Sequence, residues 1–71
     1  LMKDLPLHKT QAVLFESIGR IYWQIEENIP EAILWYTRAR DSFSALENQM
    51  GYDHMTAVLN KLRGGQNLNT H

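Results

Sequence analysis

Between Ala32 and Met50 the chain steps by four and three without a break, through Ala32, Tyr36, Ala39, Phe43, Leu46 and Met50. Residues at that spacing share one face of an α-helix; a strand, which turns every second side chain to the same side, cannot gather them. The face alternates small and aromatic residues, a pattern that lets a second helix backbone come close while rings fill the space beside it. A chain so constrained has to be helical and has to cover that face.

The boundaries of this helix follow from its flanks. Pro30 blocks continuation of any helix before it, so Asn28 or Ile29 becomes the start, after a short turn. Gly51 fits the left-handed position that closes many helices, which predicts a second helix running to Met50. Upstream, Leu14, Ile18, Ile21 and Ile25 recur at four, three and four, with Tyr22 on the same arc. They predict a first helix from Leu7 to about Glu27, roughly 30 Å long at about 1.5 Å per residue. Asp4 lies two residues before Pro6 and can cap its start, with the proline in the first turn where its missing N–H costs nothing. Downstream, Asp53 is a candidate cap for a third helix over His54 to Arg63, with Met55, Val58, Leu59 and Leu62 as its apolar stripe. Gly64-Gly65 is expected to stop it. The expected organisation is an all-α domain over 7–63: an antiparallel hairpin plus a third packing helix, between a lead at 1–6 and a loose tail at 64–71.

Seventy-one residues make one small domain, which buries only about 60% of the surface its unfolded chain exposes. With no cysteine there is no disulfide to supplement the core and no thiolate for zinc, redox work or nucleophilic attack. The start at "LMKDLPLHK" lacks the apolar core of a secretory signal and reads as an excerpt of something larger. The longest apolar run, Ala32 to Tyr36, is far short of the roughly 20 residues of a membrane span. These features together point to a cytoplasmic location, without a membrane partner. A net charge of -1, with no basic stripe, argues against nucleic acid. Glu26, Glu27 and Glu31 gather at the first turn, where they suit solvent and a helix N-terminus.

Phe15, Ile18, Gly19 and Tyr22 on the first helix pair with Ala32, Tyr36 and Ala39 on the second. Over Ala12 to about Phe43 this resembles the tetratricopeptide repeat (TPR), whose pattern is an aromatic, then Leu-Gly and Tyr, followed by Ala, an aromatic and a small residue. Two features depart from that family: the turn before Ala32 is about one residue longer than usual, and no proline closes the repeat. "AVL" at Ala12 to Leu14 returns as "AVL" at Ala57 to Leu59, and each alanine is followed by a glycine, Gly19 and Gly64. That echo is similar to the lengthened repeats of some TPR scaffold proteins and makes the third helix the first half of a second repeat. A weaker resemblance is to the microtubule-interacting and trafficking type of three-helix module.

The TPR resemblance implies a protein-interaction module that binds a peptide or helix of another protein. In such repeats the first helix lines a concave groove, and the matching positions here are Val13, Glu16, Arg20, Trp23 and Gln24. The wheel, at about 100° per residue, independently sets Val13 and Trp23 outside the Leu14 stripe, as Leu34 stands outside that of the second helix. The alternative for Trp23 is packing on the third helix or on a neighbouring repeat. Trp35 belongs to the edge of the core. Some TPR domains clamp a peptide carboxylate on this face, but Glu16 stands where that resemblance requires lysine, and a Glu16–Arg20 pair along the helix is the simpler expectation. Because single repeats leave faces uncovered, self-association or contact with neighbouring repeats is expected.

Nothing in the chain points to catalysis. There is no G-x-S-x-G, no H-E-x-x-H and no phosphate-binding glycine loop, and His8, His54 and His71 stand on separate segments. Asp53 beside His54 has a capping role to fill. "LRGG" at Leu62 to Gly65 resembles the ubiquitin tail, but the chain lacks that fold's alternating strands. The expectation is a non-enzyme, with no catalytic residue, metal or cofactor.

Overall fold

The computed structural model describes the backbone over residues 4–68 and the side chains over 9–64. Three helices follow one another: α1 (Asp4–Gln24), α2 (Ile29–Ala45) and α3 (Gln49–Leu68). Short joints make consecutive helices antiparallel, and α2 packs against both α1 and α3. The result is elongated, 49 × 22 × 13 Å across its Cα atoms, with a radius of gyration of 13.0 Å against about 11 Å for a compact chain of this size.

The joint before α2 forms where the sequence places it. Asn28 Oδ1 accepts from the Glu31 N–H at 3.2 Å, and Pro30 sits in the first turn. α1 already includes Asp4, the first described residue, so Asp4 is helical, and the helix ends at Gln24 rather than Glu27, leaving residues 25–28 as the joint. Glu27 there takes a left-handed conformation, φ 54°, and the Asn28 N–H reaches back to the Tyr22 carbonyl at 2.7 Å.

The second joint corrects the sequence reading. α2 stops at Ala45, not at Met50, because Glu47 turns left-handed at φ 56°. The Glu47 N–H then bonds the Ser44 carbonyl at 2.9 Å and the Asn48 N–H bonds the Phe43 carbonyl at 2.9 Å. This is the paired closure of a Schellman motif, made without glycine. Asn48 caps α3 by accepting from the Gly51 N–H at 2.9 Å. Gly51 therefore lies inside α3 and Asp53 is not its cap; Asp53 accepts instead from Gln49 Nε2 at 2.8 Å. Nor do Gly64-Gly65 end the helix, which continues to Leu68. A helical glycine costs about 1 kcal/mol relative to alanine and does not forbid the turn, and no proline follows to enforce a stop. Of the supposed tail, residues 64–68 are thus helical and 69–71 lie outside the described residues, as do 1–3 of the supposed lead.

The core consists of Ala12 from α1, Ala32, Tyr36, Ala39 and Phe43 from α2, and Met55, Leu59 and Leu62 from α3. The expected stripes of α2, up to Phe43, and of α3 are therefore the buried ones, with Val58 partly covered. α1 is different. It turns Ala12, Phe15, Gly19 and Tyr22 to the hairpin, while Leu14 and Ile21 face outward, Ile18 is half-buried, and Ile25, just past the helix end, is exposed. Gly19 explains the choice, because a Cβ there would lie 3.0 Å from Tyr36 Cδ2. The backbones come this close only where α1 has no side chain. Met50, expected at the end of the α2 face, lies on α3 and is exposed.

Candidate interaction groove

Aromatic packing sets the positions of the polar residues beside it. Phe15 of α1 lies 5.7 Å from the Trp35 ring, which Arg38 covers at 4.8 Å and whose Nε1 donates to Glu31 Oε1 at 3.3 Å. Trp35, expected at the edge of the core, is half-buried against Phe15 and is not among the residues that pack on the core, whereas Trp23 is. Trp23, one turn beyond Gly19, meets Tyr36 edge-on with ring centroids 6.3 Å apart. Its other contact is Lys61 of α3, whose Nζ stands 5.9 Å from the ring centroid. That distance is within the reach of a cation–π attraction.

A second α1–α3 contact lies two turns along. Glu16 Oε2 accepts from Arg20 Nη2 at 3.2 Å and lies 3.8 Å from His54 Nε2 of α3. Glu16–His54 and Trp23–Lys61 have the same sequence offset, as two parallel helices in register require. Between these two contacts α1 and α3 lie side by side next to Tyr36, and this strip is the candidate groove. Its charged members are Arg20, Lys61 and Glu16, with His54 able to add a positive charge when protonated. Glu16 and Arg20 match each other, which leaves Lys61, over the Trp23 ring, as the cation of the strip with no carboxylate beside it in the contacts described.

Burial pushes the Tyr36 hydroxyl above its usual pKa of 10.0, and the nearby Arg20 guanidinium opposes that rise. Tyr36 is consequently a neutral wall of the groove, not an anion.

The five sequence-derived positions divide accordingly. Glu16, Arg20 and Trp23 are brought to α3 and form the groove. Val13 is exposed on the flank of α1, in a depression of about 390 Å³ lined by Lys9, Thr10, Val13, Leu14 and Ser17. Gln24, at the last turn of α1, is exposed. His54 and Lys61 complete the site and were not anticipated as partners, because single-helix periodicity carries no information on which α3 residues reach α1. His8 and His71 lie outside the described side chains.

Among the described residues no cluster of three or more His, Cys, Asp or Glu is placed to hold a metal ion. Among them, too, no helix is long and apolar enough to cross a membrane. The "AVL" echo does not mark equivalent positions: Ala12 is buried while Ala57 is exposed, and Gly19 abuts Tyr36 while Gly64 faces open space. Comparison with protein-family models, with curated proteins and with solved structures gave no match to this chain.

Proposed function

We propose that this chain is a TPR-like protein-interaction module that receives an acidic peptide or helix of a partner protein in the α1–α3 groove. The observation that carries this reading is the convergence of Arg20, Trp23, His54 and Lys61 along one line, with Glu16 as the only carboxylate among them and already engaged. An aromatic face beside Lys61, a cation not paired with Glu16, suits a segment that pairs an acidic residue with an apolar anchor. The arrangement of Gly19, Tyr22, Ala32, Tyr36 and Ala39 at the hairpin contact supports the TPR comparison, since those are the positions the resemblance rests on.

A second reading is favoured by one contact. Trp23 packs edge-on against Tyr36 and beneath Lys61, so its ring also joins α3 to the hairpin as structural cement. Trp23→Ala would confound the two by disturbing packing. The test therefore uses the exposed charges, with Arg20→Glu and Lys61→Glu measured against a panel of synthetic acidic and basic peptides by titration followed in amide NMR spectra.

The expected result is saturable shifts at Arg20, Trp23, His54 and Lys61 with acidic peptides only. The Lys61→Glu variant should bind at least about tenfold more weakly, the loss of one close charge contact. Shifts that map elsewhere, or equal binding of basic peptides, would leave Trp23 as cement and remove the groove as the working surface.

A further inference from the structure

The two joints of the molecule are built alike. Glu27 and Glu47 are left-handed, at φ 54° and 56°. Asn28 Oδ1 accepts from the Glu31 N–H, and Asn48 Oδ1 from the Gly51 N–H. The Ala32 N–H bonds the Asn28 carbonyl and the Tyr52 N–H bonds the Asn48 carbonyl, both at 3.0 Å. One position breaks the match: Pro30 stands in the first turn of α2, and its counterpart in α3 is Met50. A proline inside a continuous helix removes a hydrogen bond and clashes with the preceding turn, so the first joint has no straight alternative. At the second joint nothing forbids one, because the sequence has no proline after Pro30.

The second bend also works against the sequence around it. The four-three series of α2 runs on through Leu46 and Met50, and the bend leaves Met50 84% exposed. Glu47 carries a side chain at a left-handed position that glycine usually fills. On a wheel at about 100° per residue, a helix running straight from α2 into α3 gathers Ile29, Ile33, Phe43, Met55, Val58 and Leu62 within an arc of about 120°. All six belong to the core or pack against it. The straight helix would therefore carry the buried faces of α2 and α3 on one side.

We infer that the joint over residues 46–48 is a hinge, and that at high concentration two copies straighten it and exchange α3. Met55, Leu59 and Leu62 of each copy then pack on α2 of the other. The contact already present within one chain fixes the occupant, because the open form of α2 exposes the face that α3 of this same sequence covers. Exchange reproduces that contact and releases two left-handed glutamates, while joining two chains makes it depend on concentration. The second copy also completes the candidate site, since Trp23 of one chain then lies beneath Lys61 of the other. The inference rests on the joint and the core, not on the proposed function, and its failure would leave that reading untouched.

The test refolds the whole chain from urea at micromolar and at millimolar concentration and separates monomer from dimer by size-exclusion chromatography. The parent chain should give a dimer at the higher concentration. Met50→Pro copies the first joint at an exposed position and should give monomer throughout. Glu47→Gly, which suits the left-handed turn and weakens a straight helix, should do the same, and it serves if circular dichroism shows Met50→Pro unfolded. Asn48→Ala removes a cap that exists only in the bent form. It should tighten the dimer on the order of 30-fold, one lost cap in each of two copies. Because the chain has no cysteine, spin labels on Leu34→Cys and Asn60→Cys of one chain, diluted into excess unlabelled chain before refolding, report the hinge directly. In the dimer their separation should be about 40 Å, the rise of about 26 residues at about 1.5 Å each. A short separation, comparable with that in the monomer, overturns the inference in favour of another dimer surface. So does a dimer that survives both Met50→Pro and Glu47→Gly, and so does a monomer at every concentration for the parent chain and Asn48→Ala alike.

Discussion

The two apolar faces of α1 differ in what they are made of and in what they bury. One face offers Ala12, Phe15, Gly19 and Tyr22, two of them nearly without side chains, and it meets α2. The other offers Leu14, Ile18 and Ile21, with Ile25 just past the helix end, a richer set of apolar atoms, and all of these but Ile18 are exposed. Hydrophobic content alone would choose the second face, since burying a Leu or Ile contributes about 1.5–3 kcal/mol. The hairpin chooses the first because helix contact depends on how closely two backbones can approach and on how well rings fill the remaining space. Tyr36 lies flat against the bare backbone of Gly19, and Ala32 and Ala39 keep the α2 side equally low. The face with the larger side chains is left largely exposed.

The most direct way to break this comparison is to exchange sizes. Gly19→Leu puts a branched side chain where a single Cβ would already meet the Tyr36 ring at 3.0 Å. It should destabilise the fold by about 3 kcal/mol, the upper part of the range for overpacking. Ile21→Gln on the opposite side should stay within about 0.5 kcal/mol. Urea unfolding of dilute samples, where association adds nothing, measures both. Equal losses for the two variants would mean that the outer stripe supports the monomer after all.

This inversion explains how much of the molecule was legible. Three helices, the Asn28 cap and the buried faces of α2 and α3 followed from spacing and turn chemistry. Spacing cannot rank two faces of one helix, because the contact that ranks them lies on another element; only the small residues at Ala12 and Gly19 carried that signal. The second joint was misplaced because Gly51 looked a better helix terminus than Glu47. The hint was the recurrence of Glu-Asn, at Glu27-Asn28 and Glu47-Asn48, each with a left-handed glutamate followed by a capping asparagine. Of the groove, the α1 half could be proposed from the resemblance. His54 and Lys61 depend on the register of α3 beside α1, which no single-helix pattern contains.

Tyr36 sharpens the comparison from the buried side. Its hydroxyl is pushed upward by burial, so above pH 10.0 the unfolded chain loses this proton while the folded chain retains it. The unfolded state then binds fewer protons, and stability falls as pH rises. The contribution is fully present below the unfolded value and is lost as pH climbs through the raised folded value. Tyr36→Phe should flatten the alkaline limb of a plot of unfolding free energy against pH, provided the measurements extend to both sides of pH 10.0. If the limb is unchanged in Tyr36→Phe, the tyrosine next to Gly19 is not the group held out of water.

The smallest expected effect uses the two glycines that follow the repeated "AVL". Gly19→Ala and Gly64→Ala both remove a flexible residue from a helix, which by itself stabilises by about 0.5–1 kcal/mol. At Gly64 a new Cβ meets nothing within 4 Å, so that gain should appear as a higher melting temperature. At Gly19 the same methyl meets three atoms of the Tyr36 ring between 3.0 and 3.2 Å away, and the ring is held in place by Trp23. The ring has to give by a few tenths of an ångström, and the gain should be cancelled or reversed. Thermal melts of the two variants side by side decide the point. Opposite shifts mean that the sequence echo joins unlike positions, one a helix contact and the other open surface. A stabilised Gly19→Ala would mean instead that α1 and α2 are less tightly apposed than the Gly19–Tyr36 geometry requires, and that the small residues of the inner face are not what selects it.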